Sequence, residues 1–123
     1  MSKIMVVDDE PDNIELMKII LSKHGFEPIV FTNPLEAMKT LKGGVWPDLV
    51  ILDMRMPEMS GTDFCLELRK DPKFDSLRIA FFTASNDLSQ ELLHQYKVLG
   101  FIYKPFNITE MVAQINKYLA MNI

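Results

Sequence analysis

Short apolar runs alternate along this chain with longer segments in which apolar residues recur at helical spacing. The runs are rich in β-branched and aromatic residues, so each predicts a strand: Ile4 to Val7, Phe26 to Phe31, Leu49 to Leu52, Ile79 to Phe82, and Phe101 to Tyr103. The clearest helical segment follows the last run, with its apolar stripe at Ile108, Met111, Val112, Ile115 and Leu119. The pattern therefore predicts five strands, each followed by a helix.

Polar residues at the starts of two helical segments support this alternation. Asn33 precedes Glu36, and Asn107 precedes Glu110, at the spacing of a helix N-cap and its reciprocal partner. Pro34 stands at a first helical position, where a backbone N–H has no intrahelical partner to lose. We expect helices to begin at these two points.

The alternation also predicts the fold class. Near-continuous apolar strands separated by helices are typical of a parallel sheet that is buried on both faces. Right-handed crossovers then place helices on both sides, which gives a three-layer, doubly wound α/β architecture with (βα)5 chain order. With 123 residues and 48% hydrophobic content, we expect one domain over residues 1–123. Ligands of such sheets bind at the carboxyl ends of the strands, where the strand order reverses.

Composition excludes several classes of partner. The formal net charge is −4 and no long Lys/Arg-rich run occurs, so the chain lacks the basic surface that nucleic-acid binding requires. No apolar stretch approaches the roughly 20 residues of a membrane span. Cys65 is the single cysteine, and Met1 to Lys3 lead into a strand rather than a secretory signal. We expect a cytoplasmic protein with no nucleic-acid or membrane partner.

Polar residues follow four of the five predicted strands. Asp8 and Asp9 come after the first, Asp53 after the third, Thr83 after the fourth and Lys104 after the fifth. These groups should converge in one cleft, and carboxylates held close together need a cation or a proton to be stable. Oxygen ligands without His or Cys favour Mg²⁺ over zinc or copper.

Such a cleft suits phosphoryl transfer to a carboxylate. A carboxylate beside Mg²⁺ can attack phosphorus and form an acyl phosphate, while Lys104 adds a fixed positive charge. Positioning and electrostatics supply most of the catalysis of this reaction.

The strand-end motifs together resemble the response-regulator receiver domain of two-component signalling. They are Val6-Val7-Asp8-Asp9-Glu10-Pro11, Leu52-Asp53-Met54-Arg55-Met56-Pro57 with Gly61, Thr83-Ala84, and Lys104-Pro105-Phe106. The resemblance covers essentially the whole chain. It implies a flavodoxin-like strand order of 2-1-3-4-5 and a cis peptide bond between Lys104 and Pro105.

The resemblance also implies a role for each cleft residue. Asp53 would accept a phosphoryl group from a histidine kinase or a histidine phosphotransfer protein. Mg²⁺ would bind the side chains of Asp8, Asp9 and Asp53 and the backbone carbonyl of Arg55, while Thr83 and Lys104 would hold the phosphoryl oxygens. The domain would catalyse only its own phosphorylation and dephosphorylation and would not be an enzyme in the ordinary sense.

A conformational switch is implied in the same way. The Thr83 hydroxyl would move toward the phosphoryl group and Phe101 would turn inward, altering a docking face that spans residues 87–96 and 101–121. We expect Tyr103, and less directly His94, to contact a downstream partner on this face, with the chain a monomer or a phosphorylation-linked dimer. The family frequently has a tyrosine at the position of Phe101, so this chain lacks the tyrosine hydroxyl there. Arg55 and Ser85 would flank the point where the hydrolytic water enters the site.

Other functions would require different residues after the first strand. A flavodoxin-type flavin binder would need a cradle of phosphate-binding backbone donors after the first strand, where Asp8 and Asp9 would repel a phosphate. A haloacid-dehalogenase-type phosphatase would place its nucleophile in an Asp-x-Asp motif after that strand. The main alternative is a receiver-like interaction module that acts without phosphorylation. The sequence does not choose between two downstream steps, transfer of the phosphoryl group in a phosphorelay and direct binding of a target protein. We expect a stand-alone receiver.

Two further residues favour ordinary structural roles. His24 comes just before Gly25 at a predicted helix end, where the helix dipole favours histidine. Cys65 falls in the third predicted helix and has no neighbouring feature that indicates a reactive thiolate.

Overall fold

The structure, a computed structural model, describes residues 1–84 and 90–122. Its strands are β1 (Lys3–Val7), β2 (Glu27–Phe31), β3 (Leu49–Asp53), β4 (Ile79–Thr83) and β5 (Gly100–Tyr103). Its α-helices are α1 (Pro11–Lys23), α2 (Pro34–Lys42), α3 (Gly61–Leu68), α4 (Gln90–Tyr96) and α5 (Ile108–Ala120), and a 3-10 helix spans Pro72–Ser76. The predicted alternation of strands and helices is confirmed.

All neighbouring strands pair in parallel, in the order β2-β1-β3-β4-β5. This confirms the doubly wound class and the flavodoxin-like order. Alternate strand residues point to opposite faces, so each face carries its own core. One core packs the sheet against α2, α3 and α4, and the other packs it against α1 and α5. The strand order reverses at β1 and β3, whose carboxyl ends lie side by side.

Two strands extend one residue past the carboxyl ends of the predicted apolar runs. Asp53 is the last residue of β3 and pairs with Phe82, and Thr83 is the last residue of β4 and pairs with Tyr103. The apolar pattern stops one residue earlier because both of these residues are polar. A polar side chain does not prevent its own backbone from pairing in the sheet, so the strand continues. Both site residues are therefore held by the sheet itself.

The predicted helix caps are present. The Asn33 side chain accepts a hydrogen bond from Leu35 N at 2.8 Å, and the Asn107 side chain accepts one from Glu110 N at 3.1 Å. Each satisfies a backbone donor that the first helical turn leaves unpaired. The first residue of α5 is thereby fixed a few residues beyond Lys104.

Arg69 connects elements that are far apart in the sequence. Its guanidinium donates to the carbonyls of Phe74, Leu77 (3.1 Å), Tyr96 (3.4 Å) and Lys97 (2.7 Å). The last two carbonyls lie at and just after the end of α4. Arg69 thus ties the C-terminal end of α4 to the segment that leads into β4. Sequence patterns did not indicate this contact.

Within the described residues, no helix is both long enough and apolar enough to cross a bilayer.

Candidate functional site

Three carboxylates meet at the carboxyl ends of β1 and β3. One carboxylate oxygen from each of Asp8, Asp9 and Asp53 lies within 4.8 Å of the others. Asp8 is fully buried and Asp53 is 5% exposed, whereas Asp9 is partly exposed. The structure therefore brings together the three acidic residues that the sequence analysis predicted, with two of them removed from bulk solvent.

Asp8 is held by the start of α1. Its Oδ1 accepts a hydrogen bond from Glu10 N at 3.0 Å, and its Oδ2 accepts one from the Asn13 side-chain amide at 3.2 Å. Both donors stabilise the carboxylate and fix its orientation. The sequence analysis missed Asn13. Its position in the first turn of α1, five residues after Asp8, is the signal that could have identified it.

Asp53 receives contacts from both sides. Its Oδ1 accepts from Arg55 N at 3.2 Å, and its Oδ2 lies 3.2 Å from the Lys104 ammonium. Burial raises the pKa of Asp53, the Arg55 N–H lowers it, Asp8 raises it, and Lys104 lowers it, with a net rise to about 6. The ionised carboxylate is thus poorly stabilised by the protein alone, which leaves it receptive to a cation.

Lys104 bridges two of the carboxylates. Its ammonium lies 3.3 Å from Asp8 Oδ2 and 3.2 Å from Asp53 Oδ2. Burial lowers the pKa of Lys104, but the charges of Asp53 and Asp8 outweigh this effect and raise it overall. The side chain therefore stays protonated across the physiological range, as a fixed cation at the edge of the site requires.

An open cleft of about 490 Å³ lies over these groups. It is lined by Asp9, Glu10, Asp53, Arg55, Thr83, Ala84 and Lys104. Thr83 is buried at 6% exposure, and its carbonyl accepts a hydrogen bond from Lys104 N at 2.8 Å. Thr83 and Arg55 therefore border the same cleft as Asp53, as predicted. The cis peptide bond between Lys104 and Pro105 is also confirmed.

Gly61 permits a close approach of backbone to the end of β3. A Cβ at this position would lie 2.6 Å from the Asp53 carbonyl oxygen and 2.9 Å from Met54 Cα. The Gly61 N–H also donates to the Met54 carbonyl at 3.0 Å. The start of α3 can thus pack directly behind Asp53, which explains the glycine in the motif.

The donor set suits a hard divalent cation. Three carboxylates and one ammonium leave the cluster with a net negative charge when all are ionised, and two of the carboxylates are buried. A divalent cation offsets that repulsion, and oxygen-only ligands on an open cleft match Mg²⁺. The residues present therefore fit the predicted metal.

The predicted switch residue lies on β5, next to β4. Phe101 is buried at 6% exposure, and its ring stacks on Phe81 at a centroid distance of 6.1 Å. Its carbonyl accepts hydrogen bonds from Tyr118 Oη at 2.9 Å and Gln114 Nε2 at 3.1 Å. The Phe101 ring therefore already lies within the core, and its backbone is tied to α5.

The two candidate partner contacts occupy different grooves. Tyr103 is 42% exposed and lines a groove of about 390 Å³ between β5 and α5. His94 lines a groove of about 630 Å³ with Leu77 and Leu99, which precede β4 and β5. His94 therefore lies toward the end of the sheet that is opposite the acidic cluster. Ser85 and residues 87–89 of the predicted docking face lie outside the described residues.

His24 and Cys65 occupy structural positions. The His24 ring nitrogen Nδ1 lies 2.9 Å from the Ile20 carbonyl at the end of α1. Cys65 is fully buried, and burial raises the pKa of its thiol to about 12. Neither residue borders the cleft.

Comparison with known proteins identifies the same family that the motifs suggested. The sequence matches the family described as "Response regulator receiver domain" over residues 4–116. It is 33% identical over 121 residues to the DNA-binding response regulator MtrA of Mycolicibacterium smegmatis, covering 98% of this chain and 51% of MtrA. It is also 33% identical over 119 residues to hybrid signal transduction histidine kinase D of Dictyostelium discoideum, covering 96% of this chain and 8% of the kinase.

A solved structure agrees with these sequence relationships. The response regulator TrrA of Thermotoga maritima, solved in complex with Mg²⁺ and BeF, superposes with a TM-score of 0.81 at 36% identity. That superposition covers 96% of this chain and 99% of TrrA. The chain spans about half the length of MtrA. From the family match, the shared fold and the acidic cleft, we conclude that the chain belongs to the response regulator receiver domain family.

Proposed function

We propose that this receiver domain accepts a phosphoryl group on Asp53 from the phosphohistidine of a histidine kinase or a histidine phosphotransfer protein. An Asp53 carboxylate oxygen attacks the phosphorus, and the P–N bond to the donor histidine breaks. The imidazole nitrogen keeps the bonding electron pair and takes up a proton. The product is an aspartyl phosphate, whose later hydrolysis returns the Asp53 carboxylate and inorganic phosphate.

One observation carries this proposal. An oxygen of Asp53 lies within 4.8 Å of oxygens from Asp8 and Asp9, and Asp53 Oδ2 lies 3.2 Å from the Lys104 ammonium. A nucleophilic carboxylate is thus flanked by a metal-binding pair and a fixed cation, which is the arrangement that phosphoryl transfer requires.

The remaining cleft residues have complementary roles in this proposal. Mg²⁺, held by Asp8, Asp9, Asp53 and the Arg55 carbonyl, would neutralise charge on the phosphoryl oxygens. The Lys104 ammonium would exchange its contact with Asp53 Oδ2 for one with a phosphoryl oxygen. Thr83 would donate its hydroxyl to another phosphoryl oxygen.

The signal would leave through the face formed by α4, β5 and α5. β4 and β5 pair in register, with Thr83 beside Tyr103 and Phe81 beside Phe101. A movement of Thr83 would therefore reach Phe101 and the exposed Tyr103 through adjacent strand positions. We assign target binding to the groove that Tyr103 lines and leave His94 as a separate, secondary contact. The proposed setting is the cytoplasm, with kinase and target as protein partners.

Intact mass measurement after incubation with a small phosphodonor tests the proposed chemistry. We expect the native chain to gain one phosphoryl group in the presence of Mg²⁺ and none in the presence of a chelator. Asp53→Asn should gain none, whereas Asp63→Asn, which removes an exposed carboxylate of α3, should react as the native chain does. The absence of an adduct in the native chain would favour an interaction module that acts without phosphorylation.

A further inference from the structure

Phe82 lies beneath the Lys104 side chain at the edge of the acidic cluster. The Lys104 ammonium lies 4.7 Å from the centroid of the Phe82 ring. Phe82 is the second-last residue of β4 and is 1% exposed. Its ring also packs against Phe106, at a centroid distance of 5.9 Å. The lysine thus contacts two carboxylates on one side and an aromatic face on another.

The contact with the ring attracts the Lys104 ammonium in a way that does not depend on the charges of the carboxylates. A lysine ammonium ends a flexible four-carbon chain, and an aromatic face attracts it through the ring quadrupole. A bound metal would offset the charges of Asp8 and Asp53, and an attached phosphoryl group would replace the Asp53 carboxylate, so the hold of these groups on Lys104 would change. The Phe82 ring keeps the same charge distribution throughout. It can therefore hold the ammonium in place when the carboxylates are occupied.

Two consecutive phenylalanines of β4 serve different faces of the sheet. Phe81 packs in the core that contains Phe101, whereas Phe82 packs in the core beneath α1 and α5. Ordinary core filling would account for the burial of both. The position of a cleft ammonium over the ring distinguishes Phe82, since an aliphatic residue would fill the core without providing that contact.

We infer that Phe82 is a positioning residue for Lys104, which it holds at the distance needed to meet a phosphoryl oxygen. The expected effect of Phe82 on the reaction rests on the proposed phosphorylation of Asp53, whereas the contact between Phe82 and Lys104 does not.

Phosphorylation rates of matched variants test the consequence. Phe82→Leu should lower the rate of phosphorylation by a small phosphodonor at saturating Mg²⁺ by about 3- to 10-fold, the range of one cation–π contact. Phe82→Tyr, which keeps the aromatic face, should restore most of the rate. Phe74→Leu makes the same change at another fully buried phenylalanine, stacked on Trp46 away from the cleft, and should leave the rate unchanged.

A double-mutant cycle separates positioning from general loss of packing. On a Lys104→Met background, Phe82→Leu should produce no further decrease in rate, because the group that it positions is absent. An equal decrease on both backgrounds would overturn the inference, as would an equal decrease in Phe74→Leu.

Proton NMR of the Lys104 side chain tests the contact without any phosphorylation. The Cε protons of Lys104 should show an upfield ring-current shift relative to those of the exposed Lys70, and Phe82→Leu should remove it. Absence of that shift in the native chain would overturn the inference. If the shift is present but the native chain accepts no phosphoryl group, the proposed function fails while the positioning contact stands.

Discussion

Asp53 is subject to opposing effects from the groups around it. Burial and the neighbouring Asp8 disfavour its charge, while the Arg55 N–H and Lys104 favour it, and the pKa of Asp53 rises to about 6. An aspartate in this position is ionised at neutral pH at some cost to the stability of the fold. A bound cation would remove that cost, so the same features make the residue receptive to metal.

The raised pKa of Asp53 predicts a pH-dependent effect of Asp53→Asn. Because the folded state binds this proton more tightly than the unfolded state, ionisation of Asp53 destabilises the fold as the pH rises through 6. In metal-free buffer, Asp53→Asn should therefore raise the free energy of unfolding at pH 8 by about 1–3 kcal/mol. The gain should disappear below about pH 4, where the native side chain is protonated in both states.

Urea denaturation of the native chain and the variant across this pH range measures the effect. Asp63→Asn is the matched control and should show no such pH-dependent gain. A gain from Asp53→Asn that is equally large at both ends of the range would contradict the assigned cause.

The elements of this fold were more predictable than the contacts between them. Apolar runs and helix caps at Asn33 and Asn107 specify the order of strands and helices, and the strand-end rule then places Asp8, Asp53 and Lys104 in one cleft. The apolar runs and caps are local in sequence, and the strand-end rule depends only on the topology of the sheet. The roles of Arg69 and Phe82 depend on side-chain contacts between elements that are far apart in the sequence, which no periodicity encodes. The predicted ranges of β3 and β4 each end one residue too early, because backbone pairing continues past the last apolar residue.

Arg69 is expected to anchor α4, a part of the proposed docking face. Its removal would take one hydrogen-bond donor from each of four backbone carbonyls, two of them at the end of α4. The Phe74 carbonyl would keep a second donor, Leu77 N at 3.1 Å. Arg69→Met should therefore lower the free energy of unfolding by about 2–4 kcal/mol. Hydrogen exchange should also accelerate at the C-terminal end of α4 relative to the rest of the chain.

Lys70→Met provides the matched control for Arg69→Met. Lys70 is the adjacent residue, and its side chain is exposed and pairs with Glu67 on the surface at 2.8 Å. This variant should change stability little, because exposed ion pairs contribute little. Equal effects of the two variants would show that Arg69 does not act as the anchor.

At the scale of the whole molecule, β4 connects the proposed reaction site to the proposed docking face. Thr83 ends this strand in the cleft, Phe82 lies beneath Lys104, and Phe81 stacks on Phe101 beneath the proposed docking face. Three consecutive residues thus connect the cleft to both cores of the sheet. Gly61 closes the opposite side of the site by letting α3 pack against the backbone of Asp53.

Mg²⁺ should stabilise the whole fold through the acidic cluster. A ligand that binds only the folded state raises the free energy of unfolding by about 2.7 kcal/mol at a concentration 100 times its dissociation constant. We therefore expect Tm of the native chain to rise as MgCl2 is added at constant ionic strength. Asp8→Asn and Asp53→Asn should show a much smaller rise, and Asp63→Asn should respond as the native chain does. An equal rise in all four proteins would indicate a non-specific salt effect.

The most direct test of the account is chemical trapping of the phosphoryl group on its residue. The chain would be incubated with Mg²⁺ and a small phosphodonor, treated with borohydride, digested and sequenced by mass spectrometry, because borohydride reduces an aspartyl phosphate to homoserine. We expect homoserine at position 53 and nowhere else, and none when Mg²⁺ is chelated. Homoserine at position 8 or 9, or at no position while the native chain is folded and bound to Mg²⁺, would contradict the assignment of Asp53 as the phosphoacceptor.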